Sequence, residues 1–349
     1  MFRYTVERLL IMIPTLIAIS VLTFLIIELP EGDILSNRIN ELRAQGEEAS
    51  IAQIEFYRQE YDLDAPLPVR YLLWVGLWPR ERELDGETTS EFSGILQGDF
   101  GWSFEYERPV AEIVGEGIAL TIVLNLAAVL FIYLVAFPIG IYSATRPYSW
   151  GDYGFTLLGY LGLATPNFLL GLILLYYFNI WFGISVGGLM NPEYLGQAMS
   201  WGKAKSILLH LIIPVTVIGT AGTAAMIRRL RANLLDELQK PYVTTARAKG
   251  MGETAALIKY PLRMALNPFV ADIGNLLPSL ISGSIIVSVV LNLPTIGPVL
   301  LSSLQSQDTY LSGFILLFVA MLTVVGMLIS DLLLGWLDPR IRLDAEGSK

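Results

Sequence analysis

Long apolar runs separated by polar stretches dominate the pattern of this chain. Residues 9–29 are apolar except for Glu28, and uncharged runs follow at 118–144, 155–184, 207–227 and 311–330. A sixth run, 269–293, is broken only by Asp272. At about 1.5 Å per residue, the first run reaches about 31 Å as a helix, enough to cross a hydrocarbon core of about 30 Å. The pattern predicts an all-α membrane protein with six transmembrane helices. Arg3 and Arg8 precede the first run as they would precede a secretory leader. The run is too long for one, however, and Ile26-Ile-Glu-Leu-Pro-Glu-Gly32 offers no small-residue cleavage site, so it is read as an uncleaved anchor.

Between the first two runs the character changes. Residues 30–115 hold 18 Asp/Glu against 7 Lys/Arg, which predicts a large water-facing segment between helices 1 and 2. Within it, 39–57 is rich in helix formers, and Tyr71-Leu-Leu-Trp-Val75 reads as an amphipathic piece at the membrane surface. Its acidic excess supplies a field that can orient a partner with basic lobes. The short loops set the orientation. The N-terminus, 144–154, 228–268 and the tail carry 14 Lys/Arg, whereas 185–206 and 292–310 carry only Lys203 and Lys205. By the positive-inside rule both termini and the 228–268 loop are cytoplasmic, and the acidic segment is extracytoplasmic. The chain therefore divides into 1–115, an anchor helix plus the acidic segment; 116–337, a five-helix core with a cytoplasmic loop at 228–268; and a tail, 338–349.

Composition agrees with a membrane protein. Of 349 residues, 54% are hydrophobic and 16% charged, against about 45–50% and about 25% in soluble domains. With no cysteine and one histidine, His210, the sequence offers no thiolate or multi-histidine metal set. It contains no Gly-x-x-x-x-Gly-Lys-Ser/Thr loop to hold ATP phosphates, and no nucleophile–base pair. The expectation is a chain that is not an enzyme, binds no cofactor or metal, and, at net charge −9, has no nucleic-acid partner.

Inside the runs, Pro138, Pro166, Pro214 and Pro278 each remove a backbone hydrogen bond that lipid cannot replace. The small residues of Gly219-Thr-Ala-Gly-Thr-Ala-Ala225 and Ser282-Gly-Ser284 allow close helix approach. Asp272, Asn275 and Asp331 are the costly intramembrane polar groups. Both aspartates fall near the cytoplasmic ends of their runs, so pairing with Arg228, Arg229 or Arg263 is expected rather than contact with cargo. His210 reads as a satisfied structural histidine.

The stretch from Lys240 to Pro268 departs most from lipid-soluble sequence. Pro241 fits the first turn of a helix and Gly250 the left-handed position after its end, which predicts a short helix over 241–249. A second is predicted over 253–260, before Pro261. Thr245, Ala246 and Ala248 are small enough for another protein to approach closely, while Tyr242, Arg247, Lys249, Glu253 and Arg263 supply polar and charged surface. By itself this is either a docking loop or an ordinary basic connection. Two functional classes fit the whole: a transport subunit driven by a separate ATPase, or an ion-coupled carrier. Carriers place paired ionisable groups near the bilayer midplane, and these runs are almost uncharged there.

Tyr242-Val-Thr-Thr-Ala-Arg-Ala-Lys-Gly250, followed by Pro261-Leu-Arg-Met-Ala-Leu-Asn-Pro268, resembles the "EAA" coupling loop of ABC-importer permeases in the dipeptide/oligopeptide/nickel family. Arg228-Arg-Leu-Arg-Ala-Asn-Leu-Leu-Asp-Glu237 and Leu337-Asp-Pro-Arg-Ile-Arg-Leu343 are similar to it, as are Tyr61-Asp-Leu-Asp-Ala-Pro66, Gly98-Asp-Phe-Gly-Trp-Ser103 and Thr165-Pro-Asn-Phe-Leu-Leu-Gly171. The resemblance implies a type I permease fold in a bacterial or archaeal plasma (inner) membrane. It also implies three kinds of partner besides lipid: a homologous second permease, two ABC ATPase subunits that bind ATP and Mg, and an extracytoplasmic substrate-binding protein. The coupling role would fall on Tyr242, Thr245, Ala246, Arg247, Ala248, Lys249, Gly250, Glu253 and Arg263, with Ala246 and Ala248 against an ATPase groove. Closure of the ATPases would then push the loops together and tilt the spans. Family members move di- and oligopeptides, nickel chelates, opines or oligosaccharides, and peptides are the expectation here. Tyr260-Pro-Leu-Arg-Met264 departs from the family's His-x-Leu-Arg-Asn, and Pro261 is expected to bend the second short helix.

Overall fold

The uncharged runs fold as helices that mostly outlast the runs themselves. The computed structural model describes residues 2–29, 64–84, 87–182 and 187–337. The helices are α1 (Phe2–Glu28), α2 (Leu67–Val75), α3 (Val110–Thr145), α4 (Trp150–Ala164), α5 (Asn167–Phe182) and α6 (Trp201–Leu238). They continue with α7 (Pro241–Ala248), α8 (Glu253–Lys259), α9 (Pro261–Ala271), α10 (Ile273–Val290), α11 (Ile296–Gln305) and α12 (Thr309–Leu337). Among the described residues, four helices are long and apolar enough to cross a membrane, namely α1, α3, α6 and α12.

Three departures from the sequence pattern have local causes. The run 155–184, expected as one span, is two helices bent by 104° where Thr165 and Pro166 separate α4 from α5. Proline disfavours helix in the residue before it, and Thr165 is extended (φ −87°, ψ 121°). The run 269–293 is divided at Asp272 between α9 and α10. The loop 292–310 contains a 10-residue helix, α11, whose first amide, that of Ile296, donates to Thr121 Oγ1 at 3.0 Å.

The chain is mostly helical, as expected, with a small addition of strand. Two small antiparallel ladders are present: β1 (Arg80–Leu84) with β2 (Glu87–Glu91), and β3 (Trp102–Ser103) with β4 (Arg108–Pro109). The β1–β2 register pairs Leu84 with Glu87. Asp85-Gly86 between them is the two-residue hairpin signal, here hidden in an acidic stretch. The stretch 39–57, rich in helix formers, and the tail 338–349 lie outside the described residues.

The helices form two compact units. One comprises the described parts of Met1–Ile11, Leu120–Gly297 and Leu322–Lys349. Its core gathers Leu124, Ile132, Val217, Leu230, Phe269, Val287 and Leu291 from α3, α6, α9, α10 and the turn after α10. Here the glycines of α6 have a steric role. A Cβ on Gly219 would lie 2.5 Å from the Phe131 ring, and one on Gly222 2.7 Å from Ile132 Cδ1, so α3 lies tightly against α6. Pro138 and Pro214 are accommodated inside α3 and α6. His210 is buried and its Nδ1 donates to the Ser206 carbonyl at 2.8 Å, as expected of a structural histidine.

The other unit comprises the described parts of Met12–Ala119 and Pro298–Met321. In it Leu73 and Trp74 of α2 are buried, with Trp74 5.6 Å from Phe24 of α1. Glu28, the one charge of the first run, is held by Arg70 through contacts of 2.7 and 2.8 Å. Asp308, fully buried at the start of α12, accepts from Ser103 Oγ at 2.6 Å and from the Glu105 amide at 3.2 Å.

Candidate functional site: the 239–263 loop and the polar groups of the spans

Helix α6 carries the chain to Leu238, eleven residues past the end of its uncharged run, and delivers it to α7. Lys240 is extended (φ −70°, ψ 145°) and Pro241 opens α7 in its first turn, where no amide is needed. Val243 and Ala246, three apart, are turned inward and buried. The end of α7 closes as a Schellman-type cap: the amide of Met251 donates to the Ala246 carbonyl at 3.2 Å and that of Gly250 to Arg247 at 2.9 Å. Gly250 has φ +83°, the left-handed conformation expected for it.

Helix α8 starts at Glu253 and buries Ala256. It stops at Tyr260, whose φ −121°, ψ −77° is not helical, and Pro261 then starts α9 in its first turn. The expected bend of α8 by Pro261 is therefore replaced by a new helix, because proline is compatible with a first turn and not with an interior. Tyr242 and Tyr260 pack with ring centroids 6.3 Å apart. The Tyr242 hydroxyl donates to the Glu237 carboxylate, and desolvation together with that acidic partner pushes its pKa up to about 12.

Seven of the nine loop residues singled out from sequence are exposed on α7, its C-terminal cap and the start of α8. Tyr242, Thr245, Arg247, Ala248, Lys249 and Gly250 are exposed, and so is Glu253. Arg263 is exposed on α9. Ala246 is the exception: at 6% exposure it packs within its own chain, so of the two alanines only Ala248 presents its methyl outward.

The two aspartates expected within the apolar runs are paired. Asp272 meets Arg229 at 2.6 Å, one of the three arginines expected for it. Asp331 instead meets Arg8 of α1 at 3.2 Å, a partner from the N-terminal anchor that sequence distance concealed. Asn275 lies in α10, and its side chain falls outside the described residues. A third pair was missed in the sequence. Asp152, 2% exposed, takes Arg231 Nε and Nη2 at 2.8 Å each and accepts from the Tyr148 amide at 2.9 Å. Ser149 accepts from the Asp152 amide, so Ser149-Trp-Gly-Asp152 is a helix-start signature that was legible without the structure. Among the described residues no group of three or more His, Cys, Asp or Glu could hold a metal ion.

These features define a helical membrane protein with several apolar helices, paired charges and an exposed helical loop. Comparison with known proteins gives the particular class: residues 136–343 match the family described as binding-protein-dependent transport system inner membrane component, and the chain belongs to that family. It is 33% identical over 345 residues to an oligopeptide transport system permease protein, AppB, of Bacillus subtilis, covering 98% of this chain and 99% of the relative. It is 34% identical over 343 residues to a glutathione transport system permease protein, GsiC, of Pectobacterium atrosepticum, covering 98% and 99%.

Proposed function

We propose that this chain is the permease subunit of an ATP-driven ABC importer and forms half of a translocation path for di- and oligopeptides. The observation that carries the reading is the set of exposed residues on α7 and the start of α8, held on a rigid extension of α6 in a member of this transport family. The relatives named for oligopeptide and glutathione transport favour a peptide substrate over sugars, opines or metal chelates. In this reading the protein crosses the membrane six times, through α1, α3, the bent pair α4–α5, α6, the α9–α10 segment and α12. The excess of Lys/Arg in the loops supports an orientation with both termini and α7 in the cytoplasm and the acidic segment outside. A homologous permease completes the path, a binding protein delivers cargo, and two ATPase subunits bind ATP and Mg, so this chain needs no cofactor. ATP binding can move the permease only through contacts that differ between its two states, and the exposed residues of α7 are where those contacts are made.

The test compares two substitutions in that loop. Ala248→Glu puts a charge on the exposed face without disturbing the buried Val243 and Ala246. Gly250→Val opposes the φ of +83°. Both variants are expected in the membrane at normal levels with uptake of a labelled tripeptide abolished and the ATPase subunits lost or uncoupled on purification. Normal uptake with normal ATPase retention removes the docking role.

A further inference from the structure

We infer that the corner between α3 and α4, residues 146–153, is a built site for the headgroup of an anionic phospholipid. Trp150 is 93% exposed, with Tyr148 at 75% and Tyr153 at 58%. The corner is nevertheless rigid. Tyr148 takes φ +62°, a conformation costly for a bulky residue, and is fixed in it by the amide contact to buried Asp152 and by Arg231 lying over its ring at 5.9 Å. Such an arrangement fixes the backbone turn that carries the exposed Trp150.

Two observations identify the occupant. First, the exposed face of α4 continues from these aromatics into Leu157, Leu158 and Leu161, exposed at 61%, 65% and 56%. An indole and phenols at the edge of an aliphatic face mark the boundary between headgroups and hydrocarbon. Second, the charge there is positive. Arg146, in the corner, and Arg228, beside Tyr160 farther along α4, are exposed, and their guanidinium groups lie over the rings of Tyr142 and Tyr160, at 5.5 and 5.7 Å. The only acidic residue between 117 and 192 is Asp152, which is already committed to Arg231. A phosphodiester with an added negative charge fits this combination better than a zwitterion. The proposal rests on the membrane placement above, but not on substrate or transport.

The purified complex is placed in nanodiscs containing brominated phosphatidylglycerol or brominated phosphatidylcholine at equal bromine content. The Trp150 fluorescence is taken as the difference between the wild type and Trp150→Phe. Quenching is expected to favour phosphatidylglycerol by on the order of fivefold per arginine. The preference should fall in 0.5 M salt, vanish in Arg146→Gln/Arg228→Gln and persist in Arg146→Lys/Arg228→Lys. Equal quenching by both lipids, unaffected by salt, overturns the proposal as undifferentiated lipid contact. Absence of quenching overturns it in favour of a protein covering the corner. Neither outcome touches the uptake test above, whose readout is independent.

Discussion

Asp308 shows what a single buried carboxylate does in this protein. It accepts from Ser103 Oγ and from the amides of Glu105 and Leu311, and so joins the β3–β4 turn to the first turn of α12. Burial pushes its carboxyl above the usual range, against the lowering effect of these donors. A carboxyl with a raised folded pKa stabilises fully below its unfolded value, about 4, and loses that contribution as pH rises through the folded value. Lowering the pH from 7 to 4 should therefore raise the melting temperature of the wild type relative to Asp308→Asn. Parallel curves for the two proteins would show that the buried charge carries no such linkage. Sequence reading expected an arginine beside each aspartate and had Arg229 among its candidates for Asp272, but it missed Arg8 for Asp331, since the two lie at opposite ends of the chain. Ala246 shows the same limit from the other side. Its size was legible, but its direction depended on the three-residue spacing from Val243, which the docking argument did not use.

At the scale of elements, the helices were legible because lipid demands long uncharged runs, and their breaks were legible only in part. Pro166 marked a disturbance in the run 155–184, yet nothing in the pattern separated a kink within one span from two helices at 104°. The hairpin at 80–91 was masked by its charges, because period-2 alternation of apolar residues, the usual strand signal, is absent from Arg-Glu-Arg-Glu-Leu84. The small residues of α6 were read for close approach, and Gly219 against Phe131 bears this out. Gly219→Val should cost about 1–3 kcal/mol, because an aromatic ring in a packed interface has to move. Leu208→Val, on the exposed face, should leave the melting temperature almost unchanged. Equal melting temperatures for both variants would show that the α3–α6 contact is loose.

At the scale of the whole molecule, the orientation is open to a direct check. The chain has no cysteine, so Ser90→Cys and Ser348→Cys each give a single reporter. A membrane-impermeant thiol reagent applied to intact spheroplasts should label the first and not the second. Labelling of both, or of the second alone, would end the six-span arrangement. Membership of the transport family was legible in the loop motifs, whereas the cargo was not, because no residue in the spans announces a peptide. Helix α6 adds a mechanical consequence. It is continuous for 38 residues, and from Pro214, its one internal proline, to Leu238 runs an arm of about 36 Å. Proline is where a helix flexes most cheaply, and a change of about 10° there displaces the far end by about 6 Å. The protein thus holds α7 at the end of a lever whose fulcrum, Pro214, is buried, so that a modest rotation at Pro214 and a full side-chain's travel at α7 are the same motion measured at two radii.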